Sequence, residues 1–461
     1  MSDRKASRTG VEATGEFLEW QLDRFRGAKP EPALIWQDRV FPYGELLAGV
    51  ERWQSVLADA SVAPGSSVAV VGDFSPASVS CLLALSNLKC ILVPLSRASK
   101  DQHGEFCKIA EVDWLIDIDA DDQPKIEAAS QRRHHALFTR LRREENAGLV
   151  LFTSGSTGGP RAVVHRLSQL LEKFRIERHR FRTIGFLLFD HIGGVNTLFY
   201  TLANLGCLVV PADRSVAAIC AAIEKHKVEL LPTSPSFLNF LLMAGPPGSY
   251  DLSSLRVITY GTEVMLQTTL RRARETFPQV KFQQTYGLTE LGILRSKSAA
   301  DDSVLVKVGG EGYETKVVDG TLRVRATSSM LGYLNAPSPF DDEGWFDTGD
   351  AVIEQDGYYR ILGRQSDIIN VGGQKVFPGE IEKVIAELPG VIDASVRGEA
   401  HALLGQIVVA TVQMVDPIPA TDMKNRITEH SRGRLQPFMI PTKVRVVTTP
   451  QVNYRFKRVR Q

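Results

Sequence analysis

Apolar positions recur at helical spacing over Tyr43–Leu57 and Val216–His226. Between such segments lie short runs rich in β-formers: Ser67–Val71, Cys90–Pro94, Gly148–Thr153, Cys207–Pro211 and Arg256–Thr259. Alternation of this kind predicts α/β layers with largely parallel sheets. Gly206 and Pro211 punctuate one buried strand. From about Val304 the texture changes to short β segments, Glu314–Val318, Leu322–Ala326 and Tyr358–Leu362. Asp319-Gly320 and Asp356-Gly357 are hairpin signals, so a small antiparallel subdomain is expected over about residues 304–363. A boundary is expected near Gly363–Asp367. Beyond it, helix Gly379–Leu388 (stopped by Pro389-Gly390), strand Gln406–Met414, helix Thr421–Leu435 and strand Lys443–Thr448 make a compact α+β unit. The expected organisation is a large α/β domain over residues 1–366 and a small C-terminal α+β domain over 367–461.

Composition narrows the class. The chain has 461 residues, 43% hydrophobic and 23% charged, with a formal net charge of +1. Such a balance gives no field to attract nucleic acid, and no basic-aromatic stripe is present. No apolar run is long enough to span a bilayer, and the first residues lack the apolar core of a signal peptide. Cys81, Cys90, Cys107, Cys207 and Cys220 are scattered, without CxxC or Cys/His clustering. Reduced, buried thiols in a cytoplasmic protein are therefore expected.

The most informative segment runs from Leu149 to Arg161. An apolar strand enters a loop of glycines and hydroxyls, and the loop ends in a cation: Thr153, Ser154, Gly155, Ser156, Thr157, Gly158, Gly159, Pro160, Arg161. Glycines let backbone N–H groups approach phosphate oxygens, the hydroxyls add donors, and a guanidinium neutralises charge. The GxxxxGK[ST] pattern is absent, so this is not a Walker loop. By composition alone, a polar surface loop looks the same.

Phe152–Arg161 resembles the signature loop of the adenylate-forming superfamily, which includes acyl-CoA synthetases, adenylation domains of nonribosomal peptide synthetases and firefly luciferase. Further segments resemble that family in its order: Thr285-Tyr286-Gly287-Leu288-Thr289-Glu290; Trp345-Phe346-Asp347-Thr348-Gly349-Asp350; and Gly363–Asp367 leading into Val371–Val376 and Pro378–Glu382. Leu331-Gly332-Tyr333 and Leu88–Leu95 resemble weaker family segments. The resemblance spans nearly the whole chain. It implies an enzyme that joins a carboxylic acid to AMP at the expense of ATP, releases pyrophosphate, and passes the acyl group to a thiol. The acceptor is CoA or the phosphopantetheine of a separate carrier protein.

The resemblance also implies roles. Tyr286 would stack on adenine, with Gly261, Thr262 and Glu263 on its other face. Thr289 would bond the α-phosphate, and Glu290 with Thr153 would hold Mg²⁺. Asp350 would accept from the ribose hydroxyls, and Arg364 would reach ribose or phosphate. Asp367 matches the hinge, and Lys457 in Lys457-x-x-Arg460 matches the lysine that bridges carboxylate and phosphates. Gly372 and Gly373 would line a pantetheine channel after the small domain swings.

Four positions depart from the family pattern: Arg161 replaces its usual lysine, Ala162 a frequent glycine, Phe456 the glycine before Lys457, and Asn370 a common lysine. On the acid side, Phe189-Asp190-His191-Ile192-Gly193-Gly194 allows two registers. One makes His191 the aromatic gate between acid and thiol. The other makes Asp190 an ammonium-binding aspartate. Phe237 is either pocket wall or core.

Overall fold

The computed structural model describes residues 18–129, 135–154, 159–243 and 250–449. Gly155, Ser156, Thr157 and Gly158, and the tail with Lys457 and Arg460, lie outside the described residues.

The N-terminal region is built on two seven-stranded sheets. In the first, Lys281–Gln284, Val257–Tyr260, Leu230–Thr233, Arg182–Ile184, Cys207–Val209 and Pro32–Trp36 run parallel, and Arg39–Pro42 closes the edge antiparallel. In the second, Ile91–Ser96, Ser67–Gly72 and Trp114–Ile118 are parallel to Gly148–Ser154. Pro160–Arg166 folds back on Gly148–Ser154, and Gly332–Tyr333 adds to its far edge. Every residue of Ser67–Gly72 and Ile91–Ser96 is buried, which is why these strands read as unbroken apolar runs.

Helices Tyr43–Asp59 and Pro76–Asn87 pack over the sheets. The second begins where Ser75 Oγ accepts from the Ser78 amide at 3.1 Å, with proline in the first turn. Tyr43 is fully buried, and its hydroxyl donates to the Gly206 carbonyl at 2.8 Å. Burial raises the thiol pKa of Cys90 and Cys207 to about 12. All five cysteines are free. No described helix is long and apolar enough to cross a membrane.

The third sheet is antiparallel and six-stranded, in the order Ser296–Ser298, Leu305–Val308, Tyr358–Arg364, Phe346–Gln355, Thr321–Ala326, Tyr313–Val318. It starts earlier than expected because Ser296-Lys297-Ser298 carries no apolar alternation. Both expected turns have positive φ at each central residue: 50° and 74° at Asp319 and Gly320, 50° and 73° at Asp356 and Gly357. That is the geometry a two-residue hairpin loop requires.

The turn Gln365–Asp367 leads into the C-terminal sheet. There Gly405–Met414 pairs with Val391–His401, Ile369–Val371 and Lys443–Val447, and helices Pro378–Ile385 and Ala420–Ser431 supply apolar faces. Val391–His401 is not foreseen from its sequence, because it buries Asp393 and Ser395 among its apolar residues. Across the two regions, the Asn239 amide donates to the Ile392 carbonyl at 2.5 Å, and the contact is buried.

Candidate active site

The signature segments converge on one cavity of ≈ 580 Å³. Thr153 and Arg161 enter it from facing positions of the hairpin that flanks the glycine-rich loop. Thr289 and Glu290 enter from the turn after Gly287–Leu288, and His191 from the start of helix Ile192–Ala203. Gly261, Thr262, Arg364 and Asp367 complete the wall. A smaller space of ≈ 210 Å³ carries Glu263, Tyr286 and Asp350 together with Thr262, Arg364 and Asp367. The Ser154 side chain, like residues 155–158, lies outside what the structure describes.

The hairpin root is clasped from a distance. Asn335 Oδ1 accepts from the Ala162 amide at 3.0 Å, and its Nδ2 donates to the Pro160 carbonyl at 2.7 Å. Two residues earlier, the Tyr333 hydroxyl donates to Glu290 Oε1 at 2.9 Å, and the Arg161 guanidinium sits 5.6 Å from the Tyr333 ring centre. Burial and the Glu290 charge push the Tyr333 phenol up, so it stays a donor.

Behind this group lies His165, fully buried, whose Nε2 meets the Thr289 carbonyl at 2.6 Å. A carbonyl only accepts, so Nε2 carries the proton. Burial pulls the imidazole pKa down to about 4.

Tyr286 and Asp350 are joined. The phenol donates to Asp350 Oδ2 at 2.7 Å, and Arg364 Nε approaches Oδ1 at 2.9 Å. Arg364 Nη1 also donates to the Thr348 carbonyl at 2.7 Å. Burial raises the Asp350 pKa, against the opposing pull of Arg364 and Tyr286. The Glu263 carboxylate accepts from the Ser236 hydroxyl at 2.6 Å and amide at 3.1 Å, at the start of helix Pro235–Met243. An acidic group suits that helix end. Gly261 cannot carry a side chain, since a Cβ would fall 2.5 Å from Thr285 Oγ1.

In the segment expected to line the acid, His191 Nδ1 accepts from the Gly193 amide at 3.1 Å and caps the helix. Asp190 is buried and accepts from the Ser96 amide at 3.2 Å, and it is not among the cavity-lining residues. Phe237 is core, its ring centre 4.3 Å from that of Phe186. Gly372 and Gly373 are exposed on the hairpin between Ile369–Val371 and Gln374–Val376, away from both spaces.

Sequence reasoning gave no role to Tyr333, His165, Lys173 or Asn196. Only Tyr333 had a signal, in Leu331-Gly332-Tyr333.

The donor set suits a nucleoside triphosphate: hydroxyls and a cation at one end, a buried carboxylate and a phenol at the other. For a divalent cation the fit is partial. Glu290 has one oxygen engaged by Tyr333, and no cluster of three His, Cys, Asp or Glu suited to a metal exists among the described residues. A cation here would be shared between Glu290 and phosphate oxygens, as suits hard oxygen ligands.

The chain belongs to the AMP-binding enzyme family, which matches residues 22–334. The AMP-binding enzyme C-terminal domain matches residues 380–453. The chain is 28% identical to an indoleacetate–CoA ligase of Aromatoleum aromaticum, over 93% of this chain and 94% of that protein. It is 26% identical to a medium/long-chain-fatty-acid–[acyl-carrier-protein] ligase of Mycobacterium tuberculosis, over 93% and 92%. Its fold is similar to that of o-succinylbenzoate CoA synthetase from Bacillus subtilis in complex with an acyl-adenylate, with a TM-score of 0.75, 22% identity, and coverage of 95% and 96%.

Proposed function

We propose that this protein activates a carboxylic acid with ATP and transfers the acyl group to the thiol of CoA. The observation that carries this reading is the meeting of Thr153, Arg161, Thr289 and Glu290 with His191 in one cavity. In the first step a carboxylate oxygen attacks the α-phosphorus of ATP, and the bond to pyrophosphate breaks. No general base is needed, because a carboxylate is ionised near neutral pH. Two anions must approach, so the residues act mainly by offsetting charge. Arg161 and the Thr153 hydroxyl face the phosphates, and Tyr333 fixes Glu290. Asp350 and Tyr286 receive ribose and adenine, with Arg364 opposing the burial that raises the Asp350 pKa. Mg²⁺ held by Glu290, with Thr153, would neutralise phosphate charge. Lys457 would bridge the acid and the phosphates.

In the second step a thiolate attacks the acyl carbon and AMP leaves. For this, the domain over 367–461 turns about Asp367 relative to 1–366 and brings Gly372 and Gly373 to the cavity, where absent side chains leave room for pantetheine. The alternative acceptor is the pantetheine of a separate carrier protein. It is kept because one full-length relative is a carrier-protein ligase. We place the protein in the cytoplasm, where ATP and CoA are supplied.

The test is ATP–pyrophosphate exchange across fatty, aromatic and amino acids, followed by CoA and carrier-protein acceptors. Exchange and thioester formation with CoA are expected. Exchange without CoA transfer selects the carrier-protein reading, and no exchange with any acid overturns adenylation.

A further inference from the structure

Helix Ile192–Ala203 presents His191, Gly193, Asn196 and Thr197 to the large cavity. The polar groups of three of them are engaged locally. His191 Nδ1 accepts from the Gly193 amide, and Thr197 Oγ1 donates to the Gly193 carbonyl at 2.8 Å. Gly193 has no side chain, and a Cβ there would lie 2.8 Å from Leu187 Cδ1. The helix therefore packs closely on Leu187 one turn before Asn196, and Leu187, Asn196 and Ile293 all line the cavity.

Asn196 is held from behind. Lys173 Nζ donates to Asn196 Oδ1 at 2.6 Å and to the Ile293 carbonyl at 2.7 Å. The ammonium also lies 4.9 Å from the Phe174 ring centre. The residue is half-buried, but its amine end is desolvated, and burial with nearby Arg178 and Arg295 lowers its pKa to about 7. Charged or neutral, the amine has N–H groups for both carbonyls. In its ammonium form the lysine has no acceptor, and in that form it fixes which end of the amide faces it. The Nδ2 end of Asn196 makes no hydrogen bond among the described residues, and the side chain borders the cavity.

We infer that Asn196 Nδ2, oriented by Lys173, is a fixed donor that selects acids whose acyl part carries an acceptor oxygen (keto, hydroxyl or a second carboxylate) over plain hydrocarbon acids. This rests on the reading of the cavity as the acid site. Asn196 is the specificity residue and Lys173 a positioning residue. A site that keeps a polar group ready for a partner rejects the analogue that leaves it unmatched.

The experiment compares matched acids: hexanoate against 5-oxohexanoate and adipate, and 3-phenylpropanoate against its 4-hydroxy and 3-hydroxy derivatives. Two readouts are taken, kcat/KM for pyrophosphate exchange and equilibrium binding by calorimetry without ATP. The wild-type protein is expected to favour at least one oxygen-bearing member by about tenfold in both. Asn196→Leu should bring that ratio to about unity while sparing the hydrocarbon acid, and Lys173→Met should reduce it, since the amide is then free to turn. Asn196→Asp, close in size, should disfavour the carbonyl acids. A ratio within one protein is unmoved by general loss of fold.

Equal binding of every pair by the wild-type protein, or the same ratio in Asn196→Leu, overturns the inference. Preferential binding without any exchange would instead overturn adenylation and leave the donor in place.

Discussion

Tyr286 donates its phenolic proton to Asp350 at 2.7 Å across 64 residues of sequence. The residue expected under adenine and the residue expected on ribose are therefore one unit. The carboxylate is buried, and its ionised form depends on this bond and on Arg364.

Tyr286→Phe should keep the ring and lose the bond. The Asp350 pKa, already raised by burial, should rise further. ATP affinity should fall about tenfold, and the loss should grow as pH is lowered, because the protonated carboxyl accepts less well from ribose. Calorimetric titration of ATP at several pH values checks this.

His165 gives a pH dependence of stability. Its folded pKa is about 4 against an ordinary 6.5, so between these values the unfolded chain binds the proton and the folded one does not. Stability from this group is full above about 6.5 and is lost as pH falls towards 4, at up to about 1.4 kcal/mol per pH unit. His165→Gln, which retains an N–H donor in place of the imidazole, should flatten that slope in urea titrations at pH 7 and pH 5.

Glu290→Gln preserves an acceptor for the Tyr333 hydroxyl and removes the charge. Pyrophosphate exchange should drop about 10²-fold or more, and added Mg²⁺ should not restore it. Tyr333→Phe should cost less, since the carboxylate remains but is no longer fixed. Exchange rates across a Mg²⁺ series separate the two.

Asn239→Ala removes the donor to the Ile392 carbonyl. Leaving that buried carbonyl without its partner should destabilise this arrangement of the two domains by about 1–3 kcal/mol. Protease cleavage around residues 363–370 should then quicken without loss of the core fold.

Lys457→Ala should slow adenylation by about 10²-fold while leaving thioester formation from a supplied acyl-adenylate near the wild-type rate. Equal slowing of both half-reactions would show that the tail acts only in folding.

Local chemistry was legible in the sequence. The hairpins at Asp319-Gly320 and Asp356-Gly357 form where a positive φ at both residues is cheapest, and the apolar runs became buried strands. The helix Val216–His226 has the bounds its periodicity implied. Long-range pairing was not legible. Nothing near Tyr333 in sequence marks it as the partner of Glu290, 43 residues away, and Lys173 reads as one more surface lysine. Glu263 came with its motif, but its attachment to Ser236 depends on how two strand ends meet. Strand Val391–His401 hid behind Asp393 and Ser395, whose burial needs partners that only the folded sheet supplies.

The Asn335 clasp has a bearing on engineering. The glycine-rich loop reads in the sequence as a self-contained segment, yet its far root hangs on an amide 175 residues downstream, two positions from the tyrosine that grips Glu290. Anyone grafting the loop of a relative into this scaffold should exchange 330–335 in the same step. A chimera with mismatched halves should still fold, but the wall formed by the loop root and Glu290 would be assembled from parts that evolved to fit other neighbours.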